Sequence, residues 1–170
     1  MRILIAEDET IIRLDLRGAL EHAGYEVCEA RDGAEAVALA AEWLPDLALL
    51  DVKMPVLDGI EAARRINAGR PIPIVLLTAY GDEETVRRAI GAGVFGYLVK
   101  PFRESEIVPA IETAWARHAD WLDTRRELGR HIAPGPEAME IVVEGTHRYP
   151  LRVARRTDGS VDVTLSDETT

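Results

Sequence analysis

Residues 46–51 have the sequence Asp-Leu-Ala-Leu-Leu-Asp, a short apolar run that ends in the acidic residue Asp51. Such a run, bounded by polar residues, is typical of a strand buried on both faces of a parallel sheet. The pattern recurs and predicts strands at residues 2–6, 25–30, 46–50, 72–77 and 95–99. Amphipathic stretches between them predict helices at residues 9–23, 33–42, 60–67, 82–92 and 104–128. This alternation predicts an α/β fold, a doubly wound five-stranded parallel sheet with helices on both faces.

The composition fits a packed domain and argues against several functions. Apolar residues make up 47% of the 170 residues, which is enough for a hydrophobic core. The net charge of −10 argues against non-specific binding to nucleic acid or anionic lipid. No apolar run could cross a bilayer, the N-terminus shows no secretory signal, and Cys28 is the only cysteine. We therefore expect a cytoplasmic protein with no membrane partner and with nucleic acid disfavoured as a partner.

Chemically distinctive residues follow four of the predicted strands. Glu7 and Asp8 follow the first strand, Asp51 the third, Thr78 the fourth and Lys100 the fifth. Taken singly, each has an ordinary explanation as a helix cap or a turn residue. Because the carboxyl ends of parallel strands meet at one edge of the sheet, where such folds bind ligands, we expect the five to converge.

Three converging carboxylates, with Lys100 as their basic partner, predict a site for a divalent cation. Crowded carboxylates repel one another, and a hard cation that prefers oxygen ligands, such as Mg²⁺, would neutralise them. The ion, Lys100 and the Thr78 hydroxyl can each bind an oxygen of a phosphoryl group. The pattern therefore predicts a site that accepts a phosphoryl group, with Asp51 as the nucleophile.

Four segments resemble motifs of the response-regulator receiver family of bacterial two-component systems. They are residues 3–9 (ILIAEDE), 49–55 (LLDVKMP), 76–80 (LLTAY) and 96–102 (GYLVKPF). The resemblance extends over about residues 1–120 and fills the family's motif positions in order. It implies the flavodoxin-like fold of CheY-like receivers, with strand order 2-1-3-4-5.

The resemblance also implies which residues hold the metal ion. Asp8 and Asp51 would ligate Mg²⁺ directly, and Glu7 would do so directly or through water. The backbone carbonyl of Lys53 would complete the protein ligands.

Further roles implied by the resemblance concern the phosphoryl group and the switch. Asp51 would be the phosphoacceptor, and Thr78 and Lys100 would bind the phosphoryl group. Tyr97 would be an aromatic switch that turns inward when Thr78 is drawn to the phosphate. The peptide bond before Pro101 would be cis.

The last part of the chain extends beyond what a receiver needs. We predict a receiver with an extended last helix at residues 1–128, a linker at 129–137, and a small β meander with a polar tail at 138–170. A segment this short is expected to pack on the receiver or on a second copy of it. Residues 105–114 resemble receivers of regulators that carry an RNA-binding ANTAR domain. The three-helix output sequence of that domain is missing here, so this resemblance does not carry RNA binding with it.

These observations favour a two-component response regulator that takes a phosphoryl group from a sensor histidine kinase or a histidine phosphotransfer protein. We expect no enzymatic activity beyond promoting its own phosphorylation and dephosphorylation. Phosphorylation would act through Thr78 and Tyr97 on homodimerisation or partner binding. The surface involved would be formed by the predicted helix at 82–92, the fifth strand and the last helix. Two alternatives stay open: a transcription or antitermination regulator that binds nucleic acid through the C-terminal segment, and a phosphotransfer shuttle.

Overall fold

The computed structural model describes residues 1–79, 88–89, 92–128, 138–143, 147–155 and 161–165, with side chains as far as residue 124. The strands are β1 (Arg2–Ala6), β2 (Glu26–Ala30), β3 (Leu47–Asp51), β4 (Ile74–Thr78), β5 (Val94–Val99), β6 (Ala138–Val143), β7 (His147–Arg155) and β8 (Val161–Leu165). The helices are α1 (Thr10–His22), α2 (Gly33–Trp43), α3 (Gly59–Gly69) and α4 (Glu104–Leu128). The helix predicted at 82–92 falls almost wholly outside the described residues.

The first five strands form a parallel sheet in the order β2-β1-β3-β4-β5. This order confirms the predicted α/β fold class. The registers align the carboxyl ends of the central strands, because Asp51 at the end of β3 pairs with Leu77 and Thr78 at the end of β4 pairs with Val99. The residues that follow these strands therefore meet at one edge of the sheet.

The three C-terminal strands continue this sheet. β6 pairs in parallel with β5 through Tyr97 with Ile141 and Leu98 with Val142. β7 and β8 then follow as antiparallel neighbours, so the described strands form one eight-stranded sheet. The predicted linker at 129–137 and the end of the tail lie outside the described residues, and the proposed division into domains stays a prediction.

Both faces of the five-stranded sheet are buried against apolar side chains. Alternate residues of β1 point to opposite faces, so Leu4 and Ala6 belong to one cluster and Ile3 and Ile5 to the other. All four side chains are fully buried, and such burial on both faces explains why β1, β3 and β4 have continuous apolar runs. Among the described helices, none is long and apolar enough to cross a membrane.

Local sequence signals set the bounds of three helices. The Asp32 carboxylate accepts hydrogen bonds from the backbone N–H groups of Ala34 and Glu35 and so caps α2. Asp58 caps α3 in the same way. Gly24 follows α1 with a φ of 85°, a conformation that glycine adopts without steric cost and that ends a helix.

A histidine of the long helix α4 faces the core. His118 is 8% exposed and its ring contacts Phe95 edge-on and Trp121 by stacking. Its Nε2 atom is buried without a hydrogen-bond partner in the described part of the chain, and burial lowers the pKa of His118. The unfolded chain therefore takes up this proton at a higher pH than the folded chain does, so protonation favours unfolding.

Replacing His118 with phenylalanine is expected to reduce the loss of stability on acidification. The wild-type free energy of unfolding should fall as the pH drops below the usual histidine pKa of 6.5. The phenylalanine side chain takes up no proton and has no buried nitrogen that needs a hydrogen bond. We therefore expect the variant to be about 1 kcal/mol more stable than the wild-type chain at about pH 5. Urea unfolding at about pH 7.5 and about pH 5 measures both effects. An equal decrease in the free energy of unfolding of the wild-type chain and the variant between these pH values would contradict the prediction.

Candidate functional site

Three carboxylates meet at the carboxyl edge of the sheet. Glu7 and Asp8 follow β1, and Asp51 ends β3. One carboxylate oxygen from each residue lies within 4.8 Å of those of the other two. Glu7 is 0% exposed and Asp51 is 6% exposed, whereas Asp8 is open to solvent. This cluster can hold a metal ion.

Lys100, which follows β5, contacts both buried carboxylates. Its Nζ atom lies 2.6 Å from Oε2 of Glu7 and 3.2 Å from Oδ2 of Asp51. Burial raises the pKa of both carboxyls, and the ion pairs with Lys100 oppose this rise only in part. Burial also lowers the pKa of Lys100, but its contacts with the carboxylates outweigh this effect and raise it. One ammonium thus contacts two members of a cluster of three carboxylates, and a bound cation could neutralise the remaining negative charge.

Thr78 and Tyr97 occupy neighbouring strands beside the carboxylates. Thr78 ends β4, is 5% exposed, and its carbonyl accepts a 2.7 Å hydrogen bond from the backbone N–H of Lys100. Tyr97 lies in β5 and is 2% exposed, with its ring in the hydrophobic core. Its hydroxyl has no hydrogen-bond partner among the described residues, and burial raises its pKa far above the usual range. The ring therefore occupies the inward position in this structure.

The loop after β3 packs closely against Asp51. The backbone N–H of Val52 donates to Leu77, and that of Gly59 donates to Val52 at 3.1 Å. A Cβ atom on residue 59 would overlap the carbonyl oxygen of Asp51, so only glycine permits this approach. The backbone N–H of Lys53 faces the Asp51 carboxylate and lowers its pKa, against the larger rise caused by burial. The role of the Lys53 carbonyl as a metal ligand stays a prediction.

Of the predicted site residues, the structure brings Glu7, Asp8, Asp51 and Lys100 into contact and places Thr78 at the end of the neighbouring strand β4. It also adds one residue. The bond between Lys100 and Pro101 is cis, as the resemblance implied. The added residue is Arg13 of α1, which is 8% exposed and donates to the carbonyl of Glu7 at 2.6 Å. The available signal was its spacing, because position 13 falls on the same helical stripe as Leu16 and Leu20.

Sequence comparison finds curated relatives that align with most of this chain. The transcriptional regulatory protein PdtaR of Mycobacterium tuberculosis is 54% identical over 117 residues, which are 68% of this chain and 57% of that protein. The transcriptional regulatory protein PrrA of Mycobacterium leprae is 33% identical over 164 residues, which are 96% of this chain and 66% of that protein. The chain thus spans between about half and two thirds of the length of these curated relatives.

A solved structure and a protein family point the same way. The structure of the Vibrio cholerae chemotaxis protein CheY4 superposes with a TM-score of 0.64 at 32% identity, covering 66% of this chain and 97% of that one. Residues 3–112 match the response regulator receiver domain. Receiver domains take part in phosphorylation-based signalling, in which they interact with sensor kinases or phosphotransfer partners. This chain belongs to the response regulator receiver family.

Proposed function

We propose that the chain is a cytoplasmic response regulator that accepts a phosphoryl group on Asp51. One observation carries this assignment: the buried Asp51 carboxylate contacts Lys100 within a cluster of two further carboxylates. The alternative in which each residue is only a cap or a turn residue does not account for burying these charges together, because such burial is costly without a function or a counter-charge.

The chemistry is a nucleophilic substitution at phosphorus. An oxygen of Asp51 forms a bond to the phosphorus as the P–N bond of a phosphohistidine breaks, and the bonding electrons leave with the imidazole nitrogen, which then takes a proton. Lys100 holds one phosphoryl oxygen by charge, and the Thr78 hydroxyl donates a hydrogen bond to another. We propose no enzymatic activity beyond this reaction and the hydrolysis of the resulting acyl phosphate.

Mg²⁺ fits the donor set of the site. Oxygen ligands with a surplus of negative charge suit this hard cation. Burial raises the pKa of Glu7 and Asp51, and a bound cation would oppose that rise. Glu7, Asp8 and Asp51, together with the Lys53 carbonyl, would hold the ion. When bound, Mg²⁺ supplies positive charge to the phosphoryl oxygens during transfer.

Treatment of the full chain with acetyl phosphate and Mg²⁺ tests the proposal. Intact-mass spectrometry should show a gain of one phosphoryl group, and this gain should disappear when EDTA replaces Mg²⁺. No gain with Mg²⁺ present would overturn the assignment. Light scattering on the same samples reports whether phosphorylation changes the oligomeric state.

The proposed output is a change in homodimerisation or in protein-partner binding. Thr78 and Tyr97 would be the two-state element, because Tyr97 lies in β5 and Thr78 pairs with the same strand. The edge of β5 is paired with β6, so the surface around β5 includes the C-terminal strands. Trp115 of α4 is 45% exposed, and an exposed tryptophan is a typical anchor of a protein interface.

A groove beside the site fits a helix of the phosphoryl donor. Its volume is ≈ 790 Å³, and it runs from Lys100 and Ala79 at the site to Leu14 and Gly18 on α1. Leu14 is 54% exposed, so an apolar partner surface would bury it. Because the groove is continuous with the site, a docked histidine-bearing helix would place its phosphohistidine near Asp51.

Replacing Leu14 with alanine is therefore expected to slow phosphotransfer from the donor protein by about tenfold. Transfer from acetyl phosphate should stay unchanged, because that small donor needs no docking surface. Leu44→Ala is a matched control, since Leu44 is 45% exposed and lies at the opposite edge of the sheet, between α2 and β3. Radiolabel transfer assays with both donors measure the effect. Equal slowing with both donors would contradict the docking role.

Binding to nucleic acid is a second candidate function. The similarity to PrrA extends over 164 residues and so includes the C-terminal strands, and PdtaR and PrrA are both named transcriptional regulatory proteins. The net charge of −10 weighs against it. Gel-shift assays with DNA and RNA, with and without acetyl phosphate, distinguish the two candidates. A salt-dependent shift would favour nucleic-acid binding, and we expect none.

A phosphotransfer shuttle uses the same site with a different output. In that case the phosphoryl group would pass rapidly onward to a histidine phosphotransfer protein. Incubating the phosphorylated chain with such a protein and following the label tests this role. Slow exchange, together with a change in oligomeric state, would support the switch that we propose.

A further inference from the structure

We infer that Arg13 is a positioning residue whose guanidinium holds the main chain from which the carboxylates of Glu7 and Asp8 project. This inference rests on the function proposed for those carboxylates. Arg13 lies near the start of α1, yet it is only 8% exposed. Arginine on a surface helix usually keeps its charged group in water, so burial here requires specific partners.

The partners of Arg13 are two carbonyl groups, one carboxylate and the Thr10 hydroxyl, which lies 3.5 Å from Nη2. Its Nη1 atom donates to the carbonyl oxygens of Glu7 at 2.6 Å and Asp8 at 3.4 Å. Its Nε atom forms an ion pair with Oε1 of Glu29 at 3.3 Å. The rigid planar guanidinium therefore joins the end of β2 to the backbone of the acidic loop while Glu29 neutralises its charge.

The contacts of Arg13 and Lys100 indicate different roles. Arg13 fixes the position of the main chain that carries Glu7 and Asp8, whereas Lys100 balances the charge of the Glu7 carboxylate. Lys100 reaches the side chain of Glu7, whereas Arg13 reaches the main-chain oxygens of Glu7 and Asp8. Mg²⁺ tolerates little departure from octahedral geometry, so the placement of its ligands matters. Groups that hold ligands in place commonly change metal affinity by about 10- to 100-fold.

Side chains give the entry to α1 little other support in the described residues: the Glu7 carboxylate accepts a 3.2 Å hydrogen bond from the backbone N–H of Glu9. The N-cap residue, Glu9, makes no capping hydrogen bond through its side chain, whereas Asp32 caps α2 and Asp58 caps α3. The turn that carries Glu7 and Asp8 is thus held from within the helix by Arg13. Loss of the guanidinium would leave that turn free to shift and would leave the two carbonyls without this donor.

Titration calorimetry with Mg²⁺ alone on the full chain tests this role. Arg13→Gln is expected to weaken Mg²⁺ binding by about tenfold. Arg17→Gln is the matched control: Arg17 is on the same helix and also pairs with Glu29, at 2.8 Å, but its side chain is 46% exposed. The control should change the affinity by less than about twofold. Unchanged affinity in Arg13→Gln, or equal weakening in both variants, would overturn the inference.

The Mg²⁺ dependence of phosphorylation by acetyl phosphate separates positioning from a general loss of structure. In Arg13→Gln the Mg²⁺ concentration for half-maximal rate should rise by the same factor, while the rate at saturating Mg²⁺ is largely kept. A lower rate at every Mg²⁺ concentration, with unchanged half-saturation, would overturn the inference. If Arg13→Gln fails to fold, Arg13→Lys provides the test, because it keeps the positive charge near Glu29 but lacks the planar guanidinium. We expect Arg13→Lys to bind Mg²⁺ more weakly than the wild-type chain. Wild-type affinity in this variant would overturn the inference. If the wild-type chain itself neither binds Mg²⁺ nor gains a phosphoryl group, the proposed function fails instead.

Discussion

Replacing Asp51 with asparagine is expected to abolish the gain in mass that acetyl phosphate and Mg²⁺ produce in the wild-type chain. An amide has the same shape as the carboxylate but lacks a nucleophilic oxygen of comparable strength. The fold should survive, because Lys100 keeps its 2.6 Å ion pair with Glu7 and one of the crowded negative charges is gone. The variant should therefore unfold at the wild-type temperature or above it.

The control for this experiment is Asp120→Asn, an exposed aspartate on α4 away from the sheet edge. It should gain one phosphoryl group as the wild-type chain does. Intact mass measures both variants, and thermal unfolding establishes that both are folded. A full gain of mass in Asp51→Asn would mean that another residue accepts the phosphoryl group, and the assignment of Asp51 would then be wrong.

The central strands were predictable because both faces of the sheet are covered there, so these strands have nearly uninterrupted apolar runs, whereas the edge strand β2 carries Glu26 and Glu29. Their ends were less certain, because pairing with neighbouring strands sets them. The run at 72–77 predicts a strand that ends before Thr78, whereas β4 spans Ile74–Thr78. Register explains the shift, since Thr78 pairs with Val99 of β5. The site residues were predictable for a related reason: polar residues after apolar runs must meet at one edge.

The sequence pattern could not predict the contacts between elements that are distant in sequence. Helical spacing groups Trp115 with the buried Ile111 and His118, yet Trp115 is 45% exposed because the sheet covers only part of α4. The pairing of β6 with β5 depends on which sheet edge is free, and that is a property of the assembled fold. The burial of Arg13 likewise depends on Glu29 arriving from β2.

Replacing Lys100 with methionine is expected to change two properties of the site in opposite directions. Nζ of Lys100 now lies 2.6 Å from Glu7 and 3.2 Å from Asp51, so its charge competes with Mg²⁺ for the same carboxylates. Without it, Mg²⁺ affinity should rise by about tenfold, because the electrostatic competitor is gone. Phosphorylation by acetyl phosphate should slow by about a hundredfold, because one phosphoryl oxygen loses its positively charged partner.

The stability of the same variant distinguishes these effects from simple damage. Without Mg²⁺, the free energy of unfolding should fall by about 3 kcal/mol, because the fully buried Glu7 loses its counter-charge. Saturating Mg²⁺ should restore most of that loss, since the ion neutralises the same carboxylates. Arg103→Met removes an exposed positive charge three residues further along the chain and should leave the affinity, rate and stability near their wild-type values. Weaker Mg²⁺ binding in Lys100→Met would contradict competition between the lysine and the ion. Tighter binding would exclude a purely structural role for Lys100, because removing a side chain that only supports the fold does not strengthen metal binding.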